Sequence, residues 1–197
     1  MDLKELYRIY QNHPDISTDS REEINNGIFF ALKGENFNGN RYAEKALQKG
    51  AAYAIIDQKE YMKGDGCILV DDVLTTLQQL ALFHRHQLKI PFIGITGTNG
   101  KTTTKELIAK VLAKKFKTEF TRGNLNNHIG VPVSILRIKQ DTEIAVIEMG
   151  ANHQGEISDL CQIAEPHFGL ITNIGKAQLE GFRNFEGVVK DKSELYK

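Results

Sequence analysis

The feature that most constrains the fold of this chain is the glycine-rich run GITGTNGKTTT at residues 94–104. The apolar residues 90–93 precede this run as a buried strand would, and apolar residues recur at helical spacing over 105–116. A strand, a glycine-rich turn and a helix in this order predict a loop that binds nucleotide phosphates, because backbone N–H groups and the helix N-terminus both attract anions. The alternative is a glycine turn without a ligand, and the flanking strand and helix favour the phosphate loop.

The candidate nucleotide-binding residues all lie in this run: Gly97, Thr98, Asn99, Gly100, Lys101, Thr102 and Thr103. The two glycines allow the chain to turn tightly. Lys101 can reach the terminal phosphates, and the Thr102 hydroxyl can bind a magnesium ion. The run departs from the usual phosphate-loop pattern at Ile95, where a glycine is expected, because the glycine lies one residue earlier at Gly94.

The pattern of strands and helices predicts an α/β protein with two domains, at residues 1–86 and 90–197. In the first domain, strands are predicted at 28–32, 53–56 and 68–70, and helices near the N-terminus, at 43–49 and at 73–88. In the second domain, strand and helix alternate over the segments 92–96, 101–116, 144–149, 155–163 and 168–174. This alternation implies a parallel sheet that is covered by helices.

Charge and composition exclude several classes of function. The 25 basic and 25 acidic residues cancel, which leaves no electrostatic footprint for a nucleic acid. The two cysteines, Cys67 and Cys161, form neither a metal-binding spacing nor a disulfide framework. The N-terminus has no apolar signal region, and no apolar run approaches the length that spans a membrane. We therefore expect a cytoplasmic monomer without nucleic-acid or membrane partners.

Glu148 ends a predicted strand of the same parallel sheet as the phosphate loop. Ligands of open parallel sheets gather outside the carboxyl ends of the strands. A carboxylate at that edge suits a magnesium ion. The alternative is a carboxylate that is exposed to solvent at the end of a strand, and the nearby phosphate loop favours the metal site.

Four segments resemble a known family, the Mur ligases: TGTNGKTTT in the glycine-rich run, TRGNLNNHIGVP at 121–132, IEMGANHQGEI at 147–157 and ITNIGKAQLEGF at 171–182. The resemblance implies a small UDP-binding α/β domain followed by a truncated parallel-sheet ATPase domain. It implies ATP and Mg²⁺ as cofactors, and UDP-N-acetylmuramoyl-tripeptide and D-alanyl-D-alanine as substrates. The implied reaction is ATP-dependent amide formation through an acyl phosphate in peptidoglycan precursor synthesis.

The resemblance also implies roles for individual residues, including the binding of a second magnesium ion by Glu148. Three residues that alone would indicate a polar turn become candidates for binding the sugar or its carboxylate: Asn126, Asn127 and His128. Ser20 and Arg21 lie in a segment that resembles the family's UDP-binding pattern. The alternative for this segment is a helix-capping box formed by Ser20 and Glu23.

Two positions depart from the family's pattern. The residues Asn38, Gly39 and Asn40 stand where the family has Asp-Gly-His. Gln178 stands where the family often has a histidine that helps to hold the second magnesium ion. Gln178 can offer its carbonyl oxygen to magnesium, or it can form a hydrogen bond with a metal-bound water.

Lys192 is a further candidate catalytic residue. Val188, Val189, Leu195 and Tyr196 lie three or four residues from it, which places Lys192 on an apolar stripe of a helix. One interpretation is a lysine whose stem packs while its ammonium reaches water. The other is carbamylation, because a lysine in apolar surroundings loses its proton more readily and the neutral amine adds carbon dioxide. The segment VVKDKSELY resembles the Mur ligase stretch that carries a carbamylated lysine.

Two alternative functions stay open at the level of sequence. A sister ligase of the same fold would add a different residue, and this chain could be a nucleotide-sugar binding module without catalysis. In the Mur ligases the central domain continues past the segment that ends here at Lys197, and a further domain binds the incoming amine. We therefore expect this chain to be part of a longer enzyme and to be inactive in ligation by itself.

Overall fold

The chain forms two compact units, Met1–Phe83 and His84–Lys197. The structure is a computed structural model, and it describes residues 2–175 and 184–196. Each unit contains its own four-stranded parallel sheet. The predicted α/β class with parallel sheets is confirmed.

The first unit surrounds a short parallel sheet. Its elements in chain order are α1 (Leu3–Asn12), β1 (Ile16–Ser17), β2 (Ile28–Phe30), β3 (Lys33–Gly34), β4 (Phe37–Asn38), α2 (Ala43–Gln48), β5 (Tyr53–Ile56), β6 (Cys67–Leu69) and α3 (Val73–Gln87), of which the residues from His84 onward belong to the second unit. The sheet has the order β1-β2-β5-β6, and β3 and β4 form a separate antiparallel hairpin. All three residues of β2 are buried, which is typical of a parallel strand that is covered on both faces.

The second unit alternates strand and helix as the sequence predicted. Its elements are β7 (Phe92–Thr96), α4 (Lys101–Leu112), β8 (Thr118–Phe120), α5 (Gly130–Leu136), β9 (Ile144–Glu148), α6 (Glu156–Ala164), β10 (Phe168–Ile171) and α7 (Phe185–Ser193). The strands are parallel in the order β10-β7-β9-β8. Because parallel strands end at one edge of the sheet, the loops after β7, β8, β9 and β10 come together there.

The register of the sheet fixes which strand ends are neighbours. Ile95 in β7 lies opposite Glu148 at the end of β9. Thr96, the last residue of β7, lies opposite Ile171 at the end of β10. The glycine-rich loop after Thr96 therefore lies between the loops that follow Glu148 and Ile171.

The helices carry no membrane-spanning segment in the part of the chain that is described. None of those helices has both the length and the apolar character that are needed to cross a membrane.

Candidate functional site

The loop between β7 and α4 turns at two glycines with positive φ angles, +143° at Gly97 and +76° at Gly100. Glycine adopts such angles readily, whereas residues with a Cβ do so at a cost. A Cβ at Gly97 would lie 2.1 Å from Oγ1 of Thr172, so a side chain does not fit there. Gly100 is the N-cap of α4, and no described side chain caps the helix. The N–H groups of the first helical turn are therefore available to an anion.

Lys101 places its ammonium group on this loop. Its Nζ donates hydrogen bonds to the carbonyl oxygens of Gly97 at 2.7 Å and Thr98 at 3.2 Å. Desolvation lowers the pKa of Lys101 most, and the positive charge of Lys192 lowers it further, whereas Glu148 opposes both effects. The loop thus holds a half-buried cation whose acceptors are carbonyl groups of the loop itself.

Glu148 lies beside the first turn of α4, and its side chain is 1% exposed. Its Oε1 accepts hydrogen bonds from the Thr102 hydroxyl at 3.1 Å and from Nδ2 of Asn126 at 2.8 Å. Its Oε2 is buried and has no hydrogen-bond partner among the described residues. The alternative of a strand-end carboxylate in solvent is therefore wrong.

Lys105 is a residue of this site that the sequence analysis missed. Its side chain is 0% exposed, and its Nζ lies 3.6 Å from Oε2 of Glu148 and 3.3 Å from the carbonyl oxygen of Gly123. Leu107 and Val111 are among the apolar residues whose spacing predicts this helix, yet they are 60% and 71% exposed. One signal could have found Lys105: it follows Thr102 by three residues, so the two lie on the same face of α4.

The residues beside the loop fit a magnesium ion. The Thr102 hydroxyl and the Glu148 carboxylate offer hard oxygen ligands, and Oε2 of Glu148 accepts no hydrogen bond from the described residues, with the Lys105 ammonium 3.6 Å away. In nucleotide sites, Mg²⁺ is usually held by one or two carboxylates together with substrate phosphates. The described residues contain no group of three or more His, Cys, Asp or Glu that could hold a metal ion. Gln178 lies outside the described residues.

The other candidate nucleotide-binding residues lie around the turn. The backbone N–H groups of Thr98 and Asn99 already donate hydrogen bonds to Asn173, at 3.0 Å to its carbonyl oxygen and at 3.1 Å to its Oδ1. Thr103 is exposed in the first turn of α4. The N–H groups of the helix, rather than those of Thr98 and Asn99, are thus placed to bind an anion.

The three candidate sugar-binding residues precede α5 and differ in their surroundings. Asn126 is bonded to Glu148. Asn127 accepts hydrogen bonds through Oδ1 from two backbone N–H groups at the start of α5, at 3.1 and 2.8 Å. Asn127 and His128 are both exposed. The structure therefore brings Asn126 to the candidate metal site, and gives Asn127 a role in starting a helix.

Lys192 is buried in α7 with 1% of its side chain exposed. Val188 and Leu195 are buried as the apolar stripe predicted, whereas Tyr196 is exposed. The Nζ of Lys192 lies 3.3 Å from Oδ2 of Asp191, whose pKa is raised mainly by burial although Lys192 lowers it. The interpretation in which the ammonium reaches water is wrong.

In the first unit, Ser20 and Arg21 lie in a turn, so the capping-box interpretation is wrong. Arg21 is exposed and forms a two-pronged ion pair with Asp19, with a shortest distance of 2.6 Å. Hydrogen bonds from Arg21 lower the pKa of Asp19 to about 2. Ser20 is buried, and its carbonyl oxygen accepts a hydrogen bond from Lys49 at 3.2 Å.

The departure at Asn38–Asn40 has a structural explanation. Asn40 is buried, and its amide exchanges two hydrogen bonds with Asp57, at 2.9 Å to Oδ1 and at 3.0 Å from the backbone N–H. Asn38 accepts from the backbone N–H of Asn40 at 3.1 Å. These asparagines therefore fix the loop before α2.

Comparisons with known proteins agree with this architecture. The sequence matches the Mur ligase middle domain over residues 95–197 and the Mur ligase family catalytic domain over residues 15–93. It is 41% identical to the UDP-N-acetylmuramoyl-tripeptide--D-alanyl-D-alanine ligase of Bacillus subtilis (strain 168), over 91% of this chain and 40% of that protein. The enzyme of the same name from Haemophilus influenzae is 40% identical, over 92% of this chain and 41% of that protein.

Solved structures give the same result. One crystal structure of MurF from Acinetobacter baumannii has a TM-score of 0.86 and 36% identity, and it covers 98% of this chain and 45% of that one. The MurF ligase of Thermotoga maritima in complex with ADP has a TM-score of 0.83 and 35% identity, over 93% of this chain and 43% of that one. This chain thus spans less than half of these proteins. The matched domains cover both units, and the chain belongs to the Mur ligase family.

Proposed function

We propose that this chain binds ATP with Mg²⁺ and takes part in the joining of D-alanyl-D-alanine to UDP-N-acetylmuramoyl-tripeptide. The names of the relatives that share about two fifths of its residues support this reaction. The ADP complex of the Thermotoga maritima relative supports the nucleotide. A sister ligase that adds another residue is less well supported, because the similar proteins described above carry the same activity in their names.

The observation that carries the proposal is the contact between the first turn of α4, which follows the glycine-rich loop, and the end of β9. Thr102 and Glu148 come from elements that lie 46 residues apart in sequence, yet their side-chain oxygens are 3.1 Å apart. This places a buried carboxylate at the start of a helix whose first N–H groups are available to a phosphate. A carboxylate there would repel a phosphate unless a cation lay between them.

The residues of the loop have separate tasks in this proposal. The N–H groups of Lys101, Thr102 and Thr103 bind phosphate oxygens, while the loop turns at Gly97 and Gly100. Lys101 turns from the loop carbonyls to a phosphate and offsets the charge that the phosphoryl group carries during transfer. Thr102 and Glu148 hold Mg²⁺, which, when bound, neutralises charge on the phosphate oxygens of ATP.

The proposed reaction has two steps. The terminal carboxylate of the tripeptide attacks the γ-phosphorus of ATP, the bond from that phosphorus to the bridging oxygen breaks, and ADP leaves. The amine of D-alanyl-D-alanine then attacks the carbon of the acyl phosphate, loses a proton, and displaces inorganic phosphate as the amide bond forms. The role of this chain in the first step is to position ATP and to stabilise negative charge.

The candidate substrate-binding residues remain proposals. We propose that the first unit binds the UDP group, with Ser20 and Arg21 in the turn that contacts it. Asn127 and His128 are exposed and follow Asn126 directly in sequence, and we propose that they contact the sugar. We also propose that Gln178 contributes an oxygen to a second magnesium ion.

We further propose that Lys192 carries a carbamate. The positive charge of Lys192 lowers the pKa of Lys101, and a carbamate on Lys192 would replace this repulsion by attraction. In forming it, the neutral amine of Lys192 bonds to the carbon of CO₂ and a proton passes to solvent. After incubation with ¹³C-bicarbonate, a carbamate signal that disappears in Lys192→Ala supports the proposal, and no such signal at saturating bicarbonate contradicts it.

Calorimetric titration of this chain with ATP and Mg²⁺, and separately with UDP-N-acetylmuramoyl-tripeptide, tests the function. We expect saturable binding of both, and no amide product when D-alanyl-D-alanine is added. If the chain binds the UDP compound but does not bind ATP, only the alternative function of a nucleotide-sugar binding module is supported. Binding of neither would overturn the proposal.

A further inference from the structure

The first half of the glycine-rich loop is joined to the segment 172–175, which follows β10. The backbone N–H of Thr98 donates to the carbonyl oxygen of Asn173 at 3.0 Å. The N–H of Asn99 donates to Oδ1 of Asn173 at 3.1 Å, and Nδ2 of Asn173 donates to the carbonyl oxygen of Asn99 at 2.9 Å. One amide side chain thus pairs with both polar backbone groups of Asn99, as a neighbouring strand would.

Two neighbours of Asn173 strengthen this connection. The Thr172 hydroxyl also donates to the carbonyl oxygen of Asn99, at 2.7 Å. The backbone N–H of Gly175 donates to the Thr98 hydroxyl at 2.9 Å. The loop therefore extends the pairing of β7 with β10 beyond the last strand residues, where regular pairing has ended.

The connection divides the loop into two parts. In the first part, the N–H groups of Thr98 and Asn99 are bonded within the protein. In the second part, the N–H groups at the start of α4 have no partner within the helix. The carbonyl groups that accept from Lys101, those of Gly97 and Thr98, also lie in the first part. Holding the first part in place therefore orients both the lysine and the helix entrance.

We propose that Asn173 is a positioning residue that holds the phosphate loop in its nucleotide-binding conformation. The role rests on the proposed function, because it requires that ATP binds at this loop. A glycine-containing loop has many accessible conformations, and fixing one of them costs free energy. Asn173 stabilises one conformation before the nucleotide binds. The free energy of ordering the loop therefore does not weaken the binding of ATP.

Asparagine suits this position because its amide both donates and accepts. Asn173→Ala loses both side-chain hydrogen bonds with Asn99. Asn173→Asp keeps an acceptor for the N–H of Asn99 and loses the donor. The main-chain bond from Thr98 to the carbonyl oxygen of Asn173 persists in both variants, so the Thr98 amide reports whether the surrounding fold is intact.

Amide hydrogen exchange, measured by NMR without nucleotide, tests the contact itself. We expect the Asn99 amide of the parent chain to be protected, to exchange roughly tenfold faster or more in Asn173→Ala, and to stay protected in Asn173→Asp. The Thr98 amide should stay protected in all three chains. An equal exchange rate of the Asn99 amide in parent and Asn173→Ala would overturn the proposal.

ATP affinity tests the consequence of the contact. We expect Asn173→Ala to raise the dissociation constant of ATP roughly tenfold, which corresponds to about 1.4 kcal/mol. Asn36→Ala is the matched control, because Asn36 is exposed in the β3–β4 hairpin of the first unit and should leave ATP binding unchanged. Equal ATP affinity of Asn173→Ala and parent would overturn the role of Asn173 alone. Absence of ATP binding by the parent would overturn the proposed function and this role together.

Discussion

The side chains of Lys105 and Glu148 are both buried, and their charged groups lie 3.6 Å apart. Removing one member of such a pair leaves a buried charge without its partner. We expect Lys105→Met to lower the free energy of unfolding by about 3–5 kcal/mol, as for other buried pairs that are broken. Urea denaturation followed by circular dichroism measures this change.

The double variant Lys105→Met/Glu148→Gln distinguishes the effect of breaking the ion pair from the effect of altered side-chain packing. With both charges removed, we expect much of the lost stability to return, since no uncompensated charge remains buried. A Lys105→Met variant that is as stable as the parent would show that Lys105 does not compensate the charge of Glu148.

Lys101 is the second residue for which the structure makes a specific prediction. Its ammonium group is bonded to loop carbonyls and packs in no core, so we expect Lys101→Ala to keep the parent's circular dichroism spectrum. Charge-assisted hydrogen bonds contribute about 1.5–3 kcal/mol, so ATP affinity should fall at least about tenfold. Lys110→Ala, an exposed position of the same helix, is the control. Unchanged ATP affinity in Lys101→Ala would refute the assigned role.

At the scale of secondary structure, the elements with the clearest local patterns were predicted well. The strands at 53–56 and 92–96 agree with β5 and β7 at both ends, because each is a short apolar run bounded by breaks in the pattern. The start of α3 at Val73 also agrees, and Oδ1 of Asp72 accepts from the N–H of Thr75 at 2.7 Å. Capping by an aspartate is a local signal that one sequence can reveal.

Elements whose pattern depends on distant contacts were missed. The segment Gly130–Leu136 contains a proline and three β-branched residues, yet it is a helix, α5, in which every residue is buried. Tertiary burial outweighs its weak helix propensity. The edge strand β8 was missed because it pairs with β9 only, and its residues are half buried and not clearly apolar.

The candidate site was predicted in part for the same reason. The phosphate loop and Glu148 follow from the local order of strand, loop and strand end. The contact of Asn173 with Asn99 joins residues 74 positions apart, and Lys105 contacts Glu148 across 43 positions. Such contacts depend on strand order, which the sequence pattern alone did not supply.

The end of α3 provides a test of pH dependence. His84 is buried, and its Nε2 lies 2.9 Å from the carbonyl oxygen of Ile138. Burial lowers the pKa of His84 from its ordinary value of 6.5, and the hydrogen bond opposes this shift. Below pH 6.5 the unfolded chain therefore binds a proton more readily than the folded chain, so the free energy of unfolding decreases as the pH falls.

We expect His84→Gln to weaken this dependence. Its free energy of unfolding should decrease less steeply than the parent's between pH 6.5 and about pH 5, as measured by urea denaturation at a series of pH values. Parallel pH profiles for the two proteins would contradict the effect of burial on His84.

At the scale of the whole molecule, the two units supply different parts of the proposed chemistry. The second unit contains the glycine-rich loop, Glu148 and Lys192, and the first contains the turn at Ser20 and Arg21. Family membership rests on both units, since separate domain matches cover residues 15–93 and 95–197. The proposed function depends most on one claim, that the loop and Glu148 together form a site for ATP and Mg²⁺.

The most direct measurement is the dissociation constant of ATP as a function of Mg²⁺ concentration, for the parent, Thr102→Val and the control Thr104→Val. Thr102→Val keeps the shape of an exposed residue and removes the hydroxyl that lies 3.1 Å from Glu148. We predict that parent and control bind ATP more tightly as Mg²⁺ rises, and that Thr102→Val needs about tenfold more Mg²⁺ for the same affinity, since a lost ligand weakens the site by about 1.4 kcal/mol. ATP binding by the parent that does not change with Mg²⁺, or identical curves for all three chains, would contradict the account.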